Sequence, residues 1–141
     1  MNELRWTRLC WAGLAAGAVL LAGETILNSY ILGIEWQQVL IQLRAAPLSG
    51  VARGTLAIMT LLLGVFQAWL IARLDASGNA AKPKVVLEAA LILWVTLFAF
   101  PGCWLVILGI FPARLMAFGT LWGLGECVLS SLLAGRLYLR D

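Results

Sequence analysis

Residues 54–74 read GTLAIMTLLLGVFQAWLIARL, a stretch that stays uncharged until Arg73. A helix needs about 20 predominantly apolar residues to cross the hydrocarbon core of a bilayer, and this stretch has that length. The apolar residues are continuous rather than alternating, and the run is about twice as long as a strand of a membrane barrel. The stretch therefore predicts a transmembrane helix.

Three further apolar stretches meet the same criterion, at about residues 9–33, 85–110 and 114–137. The chain of 141 residues is 62% hydrophobic and 12% charged, whereas soluble domains are about 45–50% apolar and about 25% charged. A soluble globule of this size has too little interior for so much apolar surface. We therefore expect an all-α membrane protein, a single integral membrane domain over residues 1–141 with four transmembrane helices in a bundle. A soluble enzyme, a disulfide scaffold and a disordered chain are excluded.

The connection between the first two predicted spans has a pattern of its own. Four apolar residues recur at the i, i+3, i+4 and i+7 spacing of one helix face: Trp36, Val39, Leu40 and Leu43. The glutamines between them lie on other faces. The pattern predicts a short amphipathic helix over residues 35–44 that lies in the membrane interface. A loop without regular structure is the alternative.

Basic residues are distributed unequally between the two ends of the predicted spans. One set of ends has seven of them, namely Arg5, Arg8, Arg73, Lys82, Lys84, Arg136 and Arg140, and the other has three, namely Arg44, Arg53 and Arg114. The positive-inside rule then predicts that both termini are cytoplasmic. The net charge of +3 is thus a feature of topology, and no nucleic-acid partner is expected.

The residues needed for most metal and redox chemistry are missing or isolated. The chain has no histidine, which is the usual general base and the commonest metal ligand. Its cysteines, Cys10, Cys103 and Cys127, are single and form no C-x-x-C pair, so a zinc or thiol-redox site is poorly supported. We therefore expect no metal, no cofactor and no catalytic residue.

Two glutamates, Glu24 and Glu126, lie well inside predicted spans. An acidic residue at the middle of a membrane costs on the order of 2.5–3.5 kcal/mol on insertion scales, so a role is expected for it. We expect both carboxyl groups to be neutral and to join helices by hydrogen bonds. The alternatives are a proton or cation site and a contact with a partner subunit or cofactor. Residues 23–33 (GETILNSYILG) and 125–135 (GECVLSSLLAG) are identical at five of eleven positions. Because the two helices run in opposite directions, the likeness is typical of an inverted repeat.

Small and polar residues share one face of each of these two spans. On the first span they are Gly13, Gly17, Glu24 and Asn28, and on the fourth they are Gly119, Gly123, Glu126 and Ser130. Each face has the G-x-x-x-G spacing that lets helix backbones approach closely. We therefore expect the first and fourth helices to be neighbours with their glycine faces opposed and with Gly17 and Gly119 among the contact residues. The residue at i+4, Asn28 or Ser130, is expected to hydrogen-bond each carboxyl group, and Gln67 is a further polar candidate for the same interior.

Pro101 interrupts the third predicted span. It has no backbone N–H, so it leaves the carbonyl of Leu97 without its helical donor and predicts a kink. The alternative is a helix break that lines an ion site, as in transporters.

Three short motifs accompany these features: G-E-x-x-L-N at residues 23–28, F-P-A-R-L at residues 111–115 and W-G-x-x-E at residues 122–126. Together they resemble small four-helix bacterial inner-membrane proteins, and the resemblance covers most of the chain. It implies a four-helix membrane fold and brings no known activity with it.

Two functions remain open from the sequence. The first is a non-catalytic integral membrane subunit that packs with or stabilises a larger membrane complex. The alternative is a small oligomeric transporter or channel, coupled to protons or ions through Glu24 and Glu126. An enzyme is not expected, because no nucleophile, base or metal set is present. The expected partners are the lipid bilayer and either other membrane subunits or further copies of the chain.

Overall fold

The computed structural model describes residues 5–76 and 82–139, and no strand occurs in these two ranges. Its long helices are α1 (Trp6–Ile31), α3 (Gly50–Ala76), α4 (Lys82–Ile107) and α5 (Ala113–Tyr138), and a short helix, α2 (Gly33–Gln42), follows α1. All four long helices are long and apolar enough to cross a membrane. The prediction of an all-α fold with four helices able to span a membrane is thereby confirmed.

The four long helices begin earlier than the apolar runs that predicted them. For example, α3 begins at Gly50 and ends at Ala76, whereas its apolar run spans residues 54–74. Backbone hydrogen bonding continues past the point where hydropathy falls, because polar residues such as Arg73 and Asp75 are compatible with a helix outside the hydrocarbon. Hydropathy therefore locates the crossing, and for α3 it underestimates the length of the helix.

Helix α2 occupies the connection where a short amphipathic helix is predicted. Val39 is buried, and Trp36 and Leu40 are half-buried. Leu43 departs from the predicted face: it is exposed because it follows the last residue of α2, next to Arg44, whose φ of 52° ends the helix. That α2 lies in a membrane interface remains a prediction.

The long helices pack as an antiparallel bundle. Helix α1 contacts α3 and α5, α4 also contacts α3 and α5, and α3 contacts α5 across the centre. Arg8 Nε donates to the carbonyl of Leu137 at 2.8 Å, and Lys82 Nζ donates to that of Leu139 at 2.9 Å. These bonds bring together the starts of α1 and α4 and the end of α5. We call this end of the bundle the basic end, and the other, next to α2, the opposite end.

Glycines bring α1 and α3 into backbone contact. A Cβ added at Gly17 would lie 2.7 Å from Leu61 Cα, and one added at Gly64 would overlap the backbone of Gly17. Gly13 is likewise pressed against the backbone of Val65. The glycine face of the first span therefore packs on the second span, and Gly64 completes the contact.

The prediction that the glycine faces of the first and fourth spans are opposed, with Gly17 and Gly119 among the contact residues, is wrong. A Cβ added at Gly119 has no atom within 4 Å, and one at Gly123 would meet the ring of Phe98 in α4. Helices α1 and α5 are neighbours, but their glycine faces point to other helices. The G-x-x-x-G spacing marks a face that another helix can approach, and it does not specify which helix.

Two apolar layers enclose the middle of the bundle. The layer toward the basic end consists of Leu9, Ala12, Ala16, Ala68, Ile71, Ala72, Val85, Ala89 and Ala134. The layer under α2 consists of Leu27, Leu32, Val39 and Leu115, against which Trp36, Phe111, Met116 and Trp122 pack. Along α1 and α5, both glutamates lie between these layers.

The irregularity predicted at Pro101 takes the form of a π-helical turn over Val95–Ala99. The N–H of Phe100 donates to the carbonyl of Val95, so the hydrogen bonding widens by one residue just before the proline. The Thr120 hydroxyl of α5 donates to the carbonyl of Phe98 at 3.5 Å. A second π-helical turn, Leu27–Ile31, ends α1 and has no proline to predict it.

The glycine contact between α1 and α3 can be tested with two matched substitutions. Gly17→Ala should lower the free energy of unfolding by about 1–3 kcal/mol, because the added methyl group overpacks the contact. Gly119→Ala should be neutral or stabilise by up to about 1 kcal/mol, because alanine is the better helix former and has open space there. Unfolding in detergent, followed by circular dichroism, measures both. Equal stability of the two variants would contradict the contact.

Candidate functional site

Glu24 and Glu126 lie close together where α1 contacts α5. A Cβ added at Gly23 would overlap the carboxylate of Glu126, so the Glu126 side chain reaches the backbone of α1 beside Glu24. The carboxyl groups are within range of a direct electrostatic interaction. Glu126 is 5% exposed, and Glu24 is half-buried. The two carboxyl groups therefore form one site at one depth.

Glu24 is bonded within its own helix. Asn28 Nδ2 donates to Glu24 Oε2 at 2.6 Å, which is the i, i+4 hydrogen bond expected from the spacing. Asn28 lies in the π-helical turn Leu27–Ile31. A side chain in a helix leans toward the N-terminus of that helix, so the amide of Asn28 reaches back to the carboxyl group one turn earlier.

Glu126 has a different partner from the one predicted. Trp122 Nε1 donates to Glu126 Oε1 at 2.5 Å, whereas the Ser130 hydroxyl donates to the carbonyl of Cys127 at 3.2 Å. The serine side chain is short and bonds a carbonyl of its own helix, as serines inside helices commonly do. The other oxygen, Glu126 Oε2, is buried and has no hydrogen-bond partner in the part of the chain that the structure describes.

Gln67 joins α3 to α5 in the layer next to the glutamates. Its side chain is fully buried, and Nε2 donates to Ser131 Oγ at 2.5 Å and to the carbonyl of Cys127 at 3.2 Å. Its oxygen, Oε1, has no partner among the described residues. Gln67 therefore lies in the same interior as Glu126, and its hydrogen bonds go to α5 rather than to either glutamate.

Two residues of the site were not predicted from the sequence as partners of a glutamate. Trp122 lies four residues before Glu126, so the same i, i+4 rule that indicated Asn28 was available for it. Gly23 gave no comparable signal as a contact residue, because its partner Glu126 is on another helix and is remote in sequence. The spacing of residues within one helix does not indicate which residues of another helix they contact.

Corresponding residues of the two similar segments, 23–33 and 125–135, make different contacts. The side chain of Glu126 occupies the space beside Gly23. Gly125, its counterpart in the second segment, has no atom within 4 Å of an added Cβ. Likewise, Asn28 bonds a glutamate and its counterpart Ser130 bonds a backbone carbonyl. The likeness of the segments is therefore one of sequence, and only one carboxyl group crosses to the other helix.

The carboxyl groups of Glu24 and Glu126 have no cationic partner in residues 5–76 and 82–139. Neither glutamate forms an ion pair with an arginine or a lysine there. The same residues contain no group of three or more His, Cys, Asp or Glu side chains that could hold a metal ion. What the site offers is two carboxyl groups, an indole donor and an amide donor, which suit hydrogen bonding and proton binding.

No protein-family model, curated protein or solved structure matches the chain. The resemblance to small four-helix inner-membrane proteins therefore remains a prediction that rests on the three motifs alone.

The hydrogen bonds of Gln67 can be tested against an exposed glutamine. Gln67→Met should lower the free energy of unfolding by about 1 kcal/mol, the size typical of interhelical hydrogen bonds in membranes. Gln38→Met is the control, because Gln38 is exposed on α2. Unfolding of both variants in the same detergent gives the comparison. A Gln67→Met variant as stable as the control would mean that these bonds do not contribute to stability.

Proposed function

We propose that the protein is a non-catalytic integral membrane subunit that packs with or stabilises a larger membrane complex. One observation carries the proposal, namely an uncovered face of α5 centred on Gly125. Leu121 is 69% exposed and Leu129 is 61% exposed, one turn on either side of Gly125, where an added Cβ has no neighbour within 4 Å.

This face suits a second helix because of how helices associate in lipid. Lipid tails are as apolar as leucine, so burial of apolar surface does not drive association there. Van der Waals packing contributes to association, and small residues at the interface let two backbones approach closely. Gly125 is such a residue, whereas Gly13, Gly17 and Gly64 are already used inside the chain.

Most polar groups inside the bundle act as interhelical or intrahelical connections in this proposal. Gln67 of α3 hydrogen-bonds Ser131 of α5. Trp94 Nε1 of α4 donates to the carbonyl of Thr120 of α5 at 2.8 Å. Such bonds stabilise the protein itself and leave its exterior apolar. A stable bundle with an apolar exterior is the property that a packing subunit needs.

We further propose that the membrane is the inner membrane of a bacterium, with both termini in the cytoplasm. The clustering of Arg8, Lys82 and Arg136 at the basic end supports this orientation through the positive-inside rule. The resemblance of the motifs supports the bacterial membrane. Helix α2 would then lie in the outer interface, where its exposed Ile34 and Ile41 would contact lipid.

The alternative function is an oligomeric transporter or channel coupled to protons or ions. The buried, unpartnered oxygen of Glu126 favours it, because a carboxyl group used only as a structural connection would have both oxygens bonded. The two functions differ in what the native assembly contains.

The orientation can be tested by cysteine labelling in a cysteine-free background. With a membrane-impermeant maleimide on intact spheroplasts, Gln38→Cys should react, and Lys84→Cys should react only after permeabilisation. Gln38 is in α2 at the opposite end, and Lys84 is at the basic end. The reverse pattern would contradict cytoplasmic termini.

The subunit role can be tested by native gel electrophoresis and mass spectrometry after extraction in mild detergent. The chain should migrate in a complex of fixed stoichiometry that contains other membrane proteins. Gly125→Leu should dissociate it, while Gly54→Leu, at another exposed glycine with open space, should leave it intact. A complex made only of copies of this chain would contradict the proposal and favour the transporter.

A further inference from the structure

We propose that Glu24 and Glu126 form a proton-binding site in the middle of the bundle, which holds one exchangeable proton between its two carboxyl groups. The proposal goes beyond the subunit role and does not depend on it.

The first argument is the burial of Glu126. Its side chain is 5% exposed, Oε1 accepts a hydrogen bond from Trp122, and Oε2 is buried without a partner. An ionised carboxylate in that position would be a buried charge with half of its hydrogen-bonding capacity unused, which is strongly unfavourable in a medium of low dielectric constant. Protonation of Glu126 removes the charge.

The second argument is the proximity of the other carboxyl group. The absence of a side chain at Gly23 lets Glu126 reach the backbone of α1 directly beside Glu24. Two negative charges this near each other repel strongly in a medium that screens weakly. One proton bound to the pair removes the repulsion and leaves a single charge, to which Asn28 donates a hydrogen bond.

The third argument is the identity of the surrounding groups. The fully buried thiol of Cys127 is within electrostatic range of both carboxyl groups and carries no positive charge. The other charged groups of the packed helices lie in the terminal two turns: Arg8, Glu35, Arg53, Arg73, Asp75, Lys82, Lys84, Glu88, Arg114 and Arg136. No cation among them pairs with either glutamate, so a proton is the positive charge that the site can acquire.

A metal ion suits the site less well than a proton. Calcium takes six to eight oxygen ligands, and the described residues contain no group of three or more His, Cys, Asp or Glu side chains that could hold a metal ion. A proton needs one carboxyl oxygen, and the unpartnered Oε2 of Glu126 is such an atom.

The test is infrared difference spectroscopy of the full chain in lipid nanodiscs, titrated with pH in light and heavy water. The carbonyl stretch of a protonated, buried carboxyl group should appear and titrate in the wild type. It should be lost in Glu126→Gln and shifted in frequency in Glu24→Gln. Glu88→Gln is the matched control and should leave the band unchanged, because Glu88 pairs with Lys84 at 3.9 Å near the basic end.

A band that persists unchanged in Glu126→Gln would overturn the proposal, and so would its removal by sodium ions at constant pH, which would indicate a metal-cation site. If Glu126→Gln does not fold, Trp122→Phe decides the question. It keeps both carboxyl groups and removes the donor to Oε1, so the band should be retained with a shifted frequency. An unshifted band in this variant would exclude Glu126 as the proton carrier.

Discussion

A carboxyl group in hydrocarbon must be bonded, neutralised or both, and the middle of this bundle is organised around that constraint. Glu24 meets it through Asn28, one turn along α1. Glu126 meets it by crossing to the glycine at position 23, with Trp122 as donor. The apolar layers on either side then separate this polar centre from both ends of the bundle. The contact of α1 with α5 includes this carboxyl site and both apolar layers, and it has no glycine seam.

The number and order of the spans could be predicted because the bilayer sets the length of each apolar run. The helix between the first two spans could be predicted for a related reason, since its period is local. The partner of each helix could not be predicted in the same way. Gly13 and Gly17 mark a face of α1, but the surface that meets it is built around a single glycine, Gly64, on a helix without a G-x-x-x-G motif of its own at that place.

In the candidate site, too, contacts within one helix could be predicted and contacts between helices could not. The bond between Asn28 and Glu24 follows from helical spacing, whereas the contact between Gly23 and Glu126 joins residues that are remote in sequence. The π-helical turn that contains Asn28 includes no proline or glycine from which it could be predicted. Such a turn inserts one residue into the ladder of backbone bonds, a feature that is frequent at functional sites and that hydropathy cannot register.

Trp122 belongs to two parts of the molecule at once. Its ring packs against the cluster that holds Val39 of α2, and its indole N–H is the one donor to the carboxyl group of Glu126 among the described residues. Trp122 therefore connects the cluster under α2 to the buried carboxyl group within one side chain. The position of the short helix and the hydrogen bonding of the polar centre therefore depend on the same side chain.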